Sequence, residues 1–193
     1  MMKTKSSALL AIMMTGGALF AASVAPDWNN VTVKDIKTQK QLLLDKQMVA
    51  QIITAPYGEA AQAVEAEIQP DGVTLRVTEK TEVKPQKVSF LLKNIAVKQF
   101  PEVAYEQQVV LSGPAGAEVT LLFDGKTAEG KHFYQGKKFT LSGEKETLSM
   151  QAALPAEMEI LVLRVDFPGT GTFKLFDFSL APAAAKTTKG DNR

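Results

Sequence analysis

His132-Phe133-Tyr134 is the densest group of side chains in this chain that could meet a ligand. The faces of aromatic rings cover the C–H faces of pyranose sugars, and polar groups at the ring edge take the hydroxyls. Tyr105 and Trp28, the one tryptophan, could serve the same chemistry, the alternative for Trp28 being a plug that fixes the N-terminal segment onto the rest of the fold. Phe133 and Tyr134 are adjacent, so in a strand one of them points outward, and Tyr134 is the one expected to do so. The ligand-binding residues read from the sequence are therefore Tyr134, Tyr105, His132 and Trp28. Phe123, Phe139, Phe167, Phe176 and Phe178 sit in apolar alternation and are read as core.

Catalytic chemistry has less to build on. His132 is the only histidine, so a Ser-His-Asp site or a His-based metal site would have to centre on it. The chain has no Gly-x-Ser-x-Gly elbow and no His-Glu-x-x-His. Asp124, Glu129, Asp166 and Asp177 could in principle supply the two carboxylates of a glycoside hydrolase, but no spacing singles out a pair. Asp166 follows Arg164 by two residues, which reads as an ion pair on the polar side of a strand. Gly113-Pro114-Ala115-Gly116 lacks the Lys-Ser/Thr of a phosphate loop. The expectation is a protein that is not an enzyme, with no catalytic residues, no metal and no cofactor.

The 193 residues carry 22 basic and 21 acidic side chains. That balance argues against strong attraction to nucleic acid or anionic lipid. The absence of cysteine excludes disulfides, thiolate metal sites, thiol catalysis and a lipoprotein anchor. Residues 1–23 read as a signal peptide. Lys3 and Lys5 form a basic start, Ser7 to Ala22 is uncharged and mostly apolar, and Ala21 and Ser23 are the small residues a peptidase needs. An uncleaved N-terminal anchor is the alternative reading. The run is short for a membrane span, which takes about 20 residues, so no span is expected after cleavage. The chain is expected to be exported, periplasmic or secreted, and a cysteine-free exported chain suits a bacterium.

The elements that must position these residues alternate at period two. Val64 to Gln69 and Val73 to Thr78 flank the turn Pro70-Asp71-Gly72. Val119, Leu121 and Phe123 alternate before Asp124-Gly125, which reads as the end of that strand. Leu148, Met150 and Ala152 alternate again. Ile160 to Phe167 reads as a central strand buried on both faces. Phe176, Phe178 and Leu180 share one face of the last strand. About eight short strands with turn signals between them predict a sandwich or barrel rather than a βαβ fold, and an all-β antiparallel sandwich is the expected fold class. Ile36, Leu43, Leu44, Met48 and Ile52 also fit a helical stripe behind an Asp35 cap, so one short helix near the N-terminus is an alternative to strand there. The expected organisation is 24–63 as an N-terminal segment packing on the sandwich, 64–182 as the sandwich and 183–193 as a disordered tail.

Tyr105 opens a strand that runs into a Gly-containing turn, and the chain ends in Phe173-Lys174-Leu175-Phe176-Asp177-Phe178-Ser179-Leu180. From Tyr105 to Leu180 the sequence resembles the carbohydrate-binding-module and galactose-binding-like jelly-roll domains. The resemblance implies a jelly roll that binds a poly- or oligosaccharide. In many of those modules the first acidic residue of the last strand helps hold a structural calcium. Phe176 stands at the matching position and only Asp177 is acidic, so the resemblance does not carry calcium to this chain. The alternative is an envelope structural or protein-interaction subunit, with an envelope protein as partner, built on the same sandwich.

Overall fold

Strands whose apolar residues alternate must bury one face, and two such sheets stacked face to face do so. The computed structural model describes residues 27–28, 31–36, 39–43, 49–78, 82–93 and 104–183. Among them are twelve strands: β1 Thr32–Ile36, β2 Gln39–Leu43, β3 Val49–Ala55, β4 Val64–Gln69, β5 Gly72–Val77, β6 Lys87–Lys93, β7 Ala104–Ser112, β8 Glu118–Thr127, β9 His132–Thr140, β10 Glu146–Ala153, β11 Met158–Pro168 and β12 Thr172–Pro182. They form a seven-stranded sheet in the order β1-β2-β3-β6-β11-β8-β9 and a five-stranded sheet in the order β10-β7-β12-β5-β4. Neighbouring strands pair antiparallel. The all-β antiparallel sandwich expected from the sequence is the observed architecture. No helix among the described residues is long and apolar enough to cross a membrane. Residues 1–23, read from the sequence as a signal peptide, and residues 184–193 of the expected tail lie outside the described residues.

The core forms where the inner faces meet. Leu161, Leu163, Val165 and Phe167 of β11 face Leu111, Phe173, Leu175 and Phe178 from the other sheet, all almost wholly buried. Phe90 stacks on Phe178 with ring centroids 5.2 Å apart, and Phe167 meets Phe173 at 4.8 Å. Each pair joins one sheet to the other.

Four sequence expectations change. The helical reading of 41–53 gives way to strand: β3 alternates half-buried and buried residues along its length, with Ala50 and Ile52 fully enclosed. Only a single 3₁₀ turn, Glu59–Ala63, follows it. Leu44 and Met48 of the expected stripe lie outside the described residues. β1, β2 and β3 are three strands of the larger sheet.

Gly125 does not close β8, which continues to Thr127. A Cβ there would stand 2.3 Å from the Ile160 carbonyl oxygen, so this glycine permits close approach of β11 within the sheet. Nor is β11 buried on both faces: Ile160 is 51% exposed, and Val162 and Arg164 are half-buried on the outer side.

Phe176 is not core. The register of β12 against β7 slips between Leu175 and Asp177, and this bulge lets both Leu175 and Phe178 face inward while Phe176 turns out. The ring is covered instead by two cations, with Lys145 Nζ 4.2 Å and Lys174 Nζ 5.0 Å from its centroid.

The β4–β5 turn is tied to β12 in two ways. A Cβ at Gly72, whose φ is +150°, would lie 2.2 Å from the Leu175 carbonyl oxygen. Lys174 Nζ donates to Gln69 Oε1 at 2.7 Å and to both Asp71 oxygens at 2.8 and 2.9 Å. That hydrogen bond is the main cause that holds the Asp71 carboxyl below its usual range. A depressed carboxyl contributes stability above its unfolded pKa and loses it as pH falls through the folded value. Lys174→Met should therefore move the Asp71 carboxyl titration upward, read by NMR pH titration; an unmoved midpoint would contradict the assignment. Gly125→Val should destabilise the sandwich by about 2 kcal/mol through overpacking against β11. For a chain of this size that is a fall in Tm of roughly 5 °C. An unchanged melt by circular dichroism would refute the close-approach argument.

Candidate functional site

The outer face of the seven-stranded sheet is set by register. Leu122 of β8 lies opposite Arg164 of β11 and Gly136 of β9, while Thr120 lies opposite Asp166 and Lys138. Asp124 lies opposite Val162 on one side and Tyr134 on the other. Ser89 of β6 completes the row through Asp166, and Leu91 the row through Arg164. Cross-strand partners share a face, so Tyr134, Asp124, Arg164, Asp166, Ser89 and Lys138 all point outward together. His132 follows one step along β9, opposite Lys126.

Asp166 anchors this face. It is only 7% exposed and takes four donors. Arg164 Nε donates to Oδ1 at 2.6 Å and Nη2 to Oδ2 at 3.0 Å. The Ser89 hydroxyl donates to Oδ1 at 2.6 Å, and Lys87 Nζ stands 3.1 Å from Oδ2. The remaining Arg164 nitrogen, Nη1, lies 3.5 Å from Asp124 Oδ2. Burial pulls the Arg164 guanidinium down, but the hydrogen bond and charge of Asp166 more than reverse this, with Tyr134 and Asp124 adding, so it ends above its ordinary value. The result is a planar guanidinium held in place on the face that carries Tyr134, reaching Asp124, the residue opposite that tyrosine.

Tyr134 is 62% exposed. Phe133, on the opposite face of β9, packs against the core, so alternation alone sends the neighbouring tyrosine outward. A groove of about 430 Å³ runs past it, lined among others by Lys87, Glu118, Thr120, Tyr134, Lys138 and Asp166. It offers one aromatic face flanked by hydrogen-bond donors and acceptors. Its charges are paired within the protein: Lys87 with Asp166, and Lys138 with Glu118 at 3.7 Å.

The four residues read from the sequence do not form one site. His132 and Tyr134 are brought together on β9, both exposed. Tyr105 is not on the surface. It is fully buried on the inner face of β7, where burial raises its phenol pKa. Trp28 is likewise corrected from contact residue to plug: it is 6% exposed, and its indole N–H donates to the Phe176 carbonyl at 2.9 Å. The bulge leaves Phe176 outside the ladder, and the tryptophan satisfies that carbonyl. Sequence reading noted Arg164 and Asp166 as an ion pair, and their spacing of two on one strand was the signal. It missed Ser89 and Lys87, which reach Asp166 only because β6 lies beside β11. No group of three or more His, Asp or Glu side chains that could hold a metal occurs among the described residues.

No protein-family model matches the sequence, and no curated protein matches it. Among solved structures the chain is similar to the xylan-binding domain of carbohydrate-binding module 22, with a TM-score of 0.50, 13% identity, and 84% of this chain and 96% of that one covered. It is similar to a CBM4 structure at a TM-score of 0.50 and 11% identity, covering 82% of this chain and 97% of that one. The enzymatically active domain of tailspike protein 4 from bacteriophage CBA120 follows at 0.49 and 7% identity, covering 72% of this chain, which spans only 20% of the tailspike chain. At such identities likeness establishes architecture, and the architecture of this chain is the antiparallel jelly-roll sandwich of the carbohydrate-binding modules.

Proposed function

We propose that this protein is exported and binds carbohydrate, without catalysis of its own, on the outer face of its seven-stranded sheet. The observation that carries the reading is the exposed Tyr134 ring on the same face as an Arg164 guanidinium locked by Asp166 and Asp124, with Asp124 directly opposite Tyr134. A sugar ring stacked on Tyr134 would meet fixed donors and acceptors at its edge, with little side-chain entropy left to lose. The similar module of family 22 is itself described as xylan-binding, and the basic, apolar and small-residue pattern of residues 1–23 supports export. His132, two residues along the same face, would extend the contact.

Exposed Ile160 beside half-buried Val162 favours a second reading, in which the same face docks an envelope protein.

Affinity electrophoresis in gels containing soluble polysaccharides separates the two. Retardation by one polysaccharide class is the expected result; unretarded migration across a broad panel would move the assignment to the protein-binding subunit. Tyr134→Ala should weaken retardation about tenfold, the scale of one aromatic contact, and leave the thermal melt unchanged. Asp166→Ala should weaken it too, but with about 3 kcal/mol lost in stability, because Arg164 and Lys87 lose their buried partner. A Tyr134→Ala protein that no longer melts cooperatively would show the ring to be structural.

A further inference from the structure

A second cleft lies on the open side of the sandwich, where the edge strands β9 and β10 run beside each other. It encloses about 550 Å³ between Gln135, Gly136 and Lys137 on β9 and Ser149, Met150 and Gln151 on β10. That volume falls within the range of small-molecule sites, roughly 300–1,000 Å³. It does not share the face that carries Tyr134: Gln135 and Lys137 alternate with Tyr134 and point to the same side as the core-packed Phe133 and Phe139.

The walls offer both donors and acceptors. The β10 carbonyls of Ser149 and Gln151 point out of the sheet edge, two residues apart, with no neighbouring strand beyond them among the described residues. Among the described residues they are met by long side-chain contacts, Lys137 Nζ to Ser149 O at 3.5 Å and Gln135 Nε2 to Gln151 O at 3.4 Å. Both donors are on exposed side chains and can turn to a ligand. Among the described residues, Lys137 is the one charged residue lining the cleft. Its ammonium lies 4.8 Å from the Phe139 ring centroid and has no carboxylate partner among the described residues. The Glu106 carboxylate accepts the Ser149 hydroxyl on the other side of β10.

The floor supplies the independent observation. Met150 is 4% exposed and lies directly opposite Gln107 of β7 on the inner face. Gln107 is fully buried, and neither its amide nitrogen nor its amide oxygen has a hydrogen-bond partner among the described residues. A buried amide that meets nothing is costly, and it stands one flexible thioether away from the cleft.

We propose that this lateral cleft is a second ligand site and that it takes a sugar acid of single-residue size. The carboxylate pairs with Lys137. The hydroxyls, which both donate and accept, engage Gln135, the edge carbonyls and, once Met150 swings aside, the Gln107 amide. This site differs in kind from the Tyr134 groove, whose charges are already paired, and it does not depend on sugar binding there.

NMR of the protein labelled at the methionine methyls, titrated with D-glucuronate and D-galacturonate against D-glucose and D-galactose, tests it. The Met150 methyl should shift saturably with a uronate and not with the neutral sugars. Lys137→Met and Gln107→Leu should each weaken that response about tenfold, and Tyr134→Ala should leave it unchanged. Lys137 is exposed, so its variant remains informative should Gln107→Leu fail to fold. A silent Met150 methyl, an equal response to glucose, or a uronate response indifferent to Lys137→Met would each overturn the assignment.

Discussion

The register of β11 is the constraint on which the rest of the structure depends. Its inward residues, Leu161, Leu163, Val165 and Phe167, sit at the centre of the core. Its outward residues, Arg164 and Asp166, organise the polar face. Because side chains alternate, these two sets cannot be chosen separately. A slip of one residue would drive Arg164 and Asp166 between the sheets and put four large apolar side chains in water. The apolar effect therefore aligns the charges as a by-product. The pairing of β11 with both β6 and β8 then brings Ser89, Lys87 and Asp124 to the same place.

Within that frame the carboxylate of Asp166 is stable only as a saturated group. A nearly buried charge with one weak partner would be costly, whereas here four donors converge on its two oxygens. The same saturation makes Arg164 a fixed feature of the surface. A guanidinium whose position is over-determined can help recognise a ligand without first being ordered by it. Tyr134 gains a rigid neighbour in this way, although its own strand is an edge.

The two edge strands on the open side solve an old problem of sheets by unequal means. Edge strands expose unpaired backbone groups and invite unwanted strand pairing. On β9, Lys137 and Lys138 place charge along the edge, and Lys137 turns inward over the gap toward β10. Each strand thus shields the other without a hydrogen-bond ladder between them. A cleft remains because side-chain contacts of 3.4–3.5 Å span it only loosely.

The fold was legible in the sequence because burying one face of a strand leaves a period-two trace in the residues themselves. Val73 and Leu75, Val119 to Phe123, and Leu148 to Ala152 all lie where their alternation put them. The surface position of Tyr134 was legible for the same reason, since Phe133 took the core side. Tyr105 instead shares a period-two face with Val109 and Leu111, and it ended fully buried. Its strand lies between β10 and β12 with its inner face under the other sheet, and its phase with Val109 and Leu111 was the local sign of that burial, broken by Gln107 between them. Phe176 was misread because a bulge shifts the phase of alternation, and no single residue announces one. Trp28 became a plug because that bulge freed a carbonyl 148 positions away in the chain. The convergence on Asp166 required strand order, since Ser89 precedes it by 77 positions. Periodicity is a local consequence of burial and is written in sequence. Which strands become neighbours, and where the alternation slips, are settled only when the two sheets close over a common core.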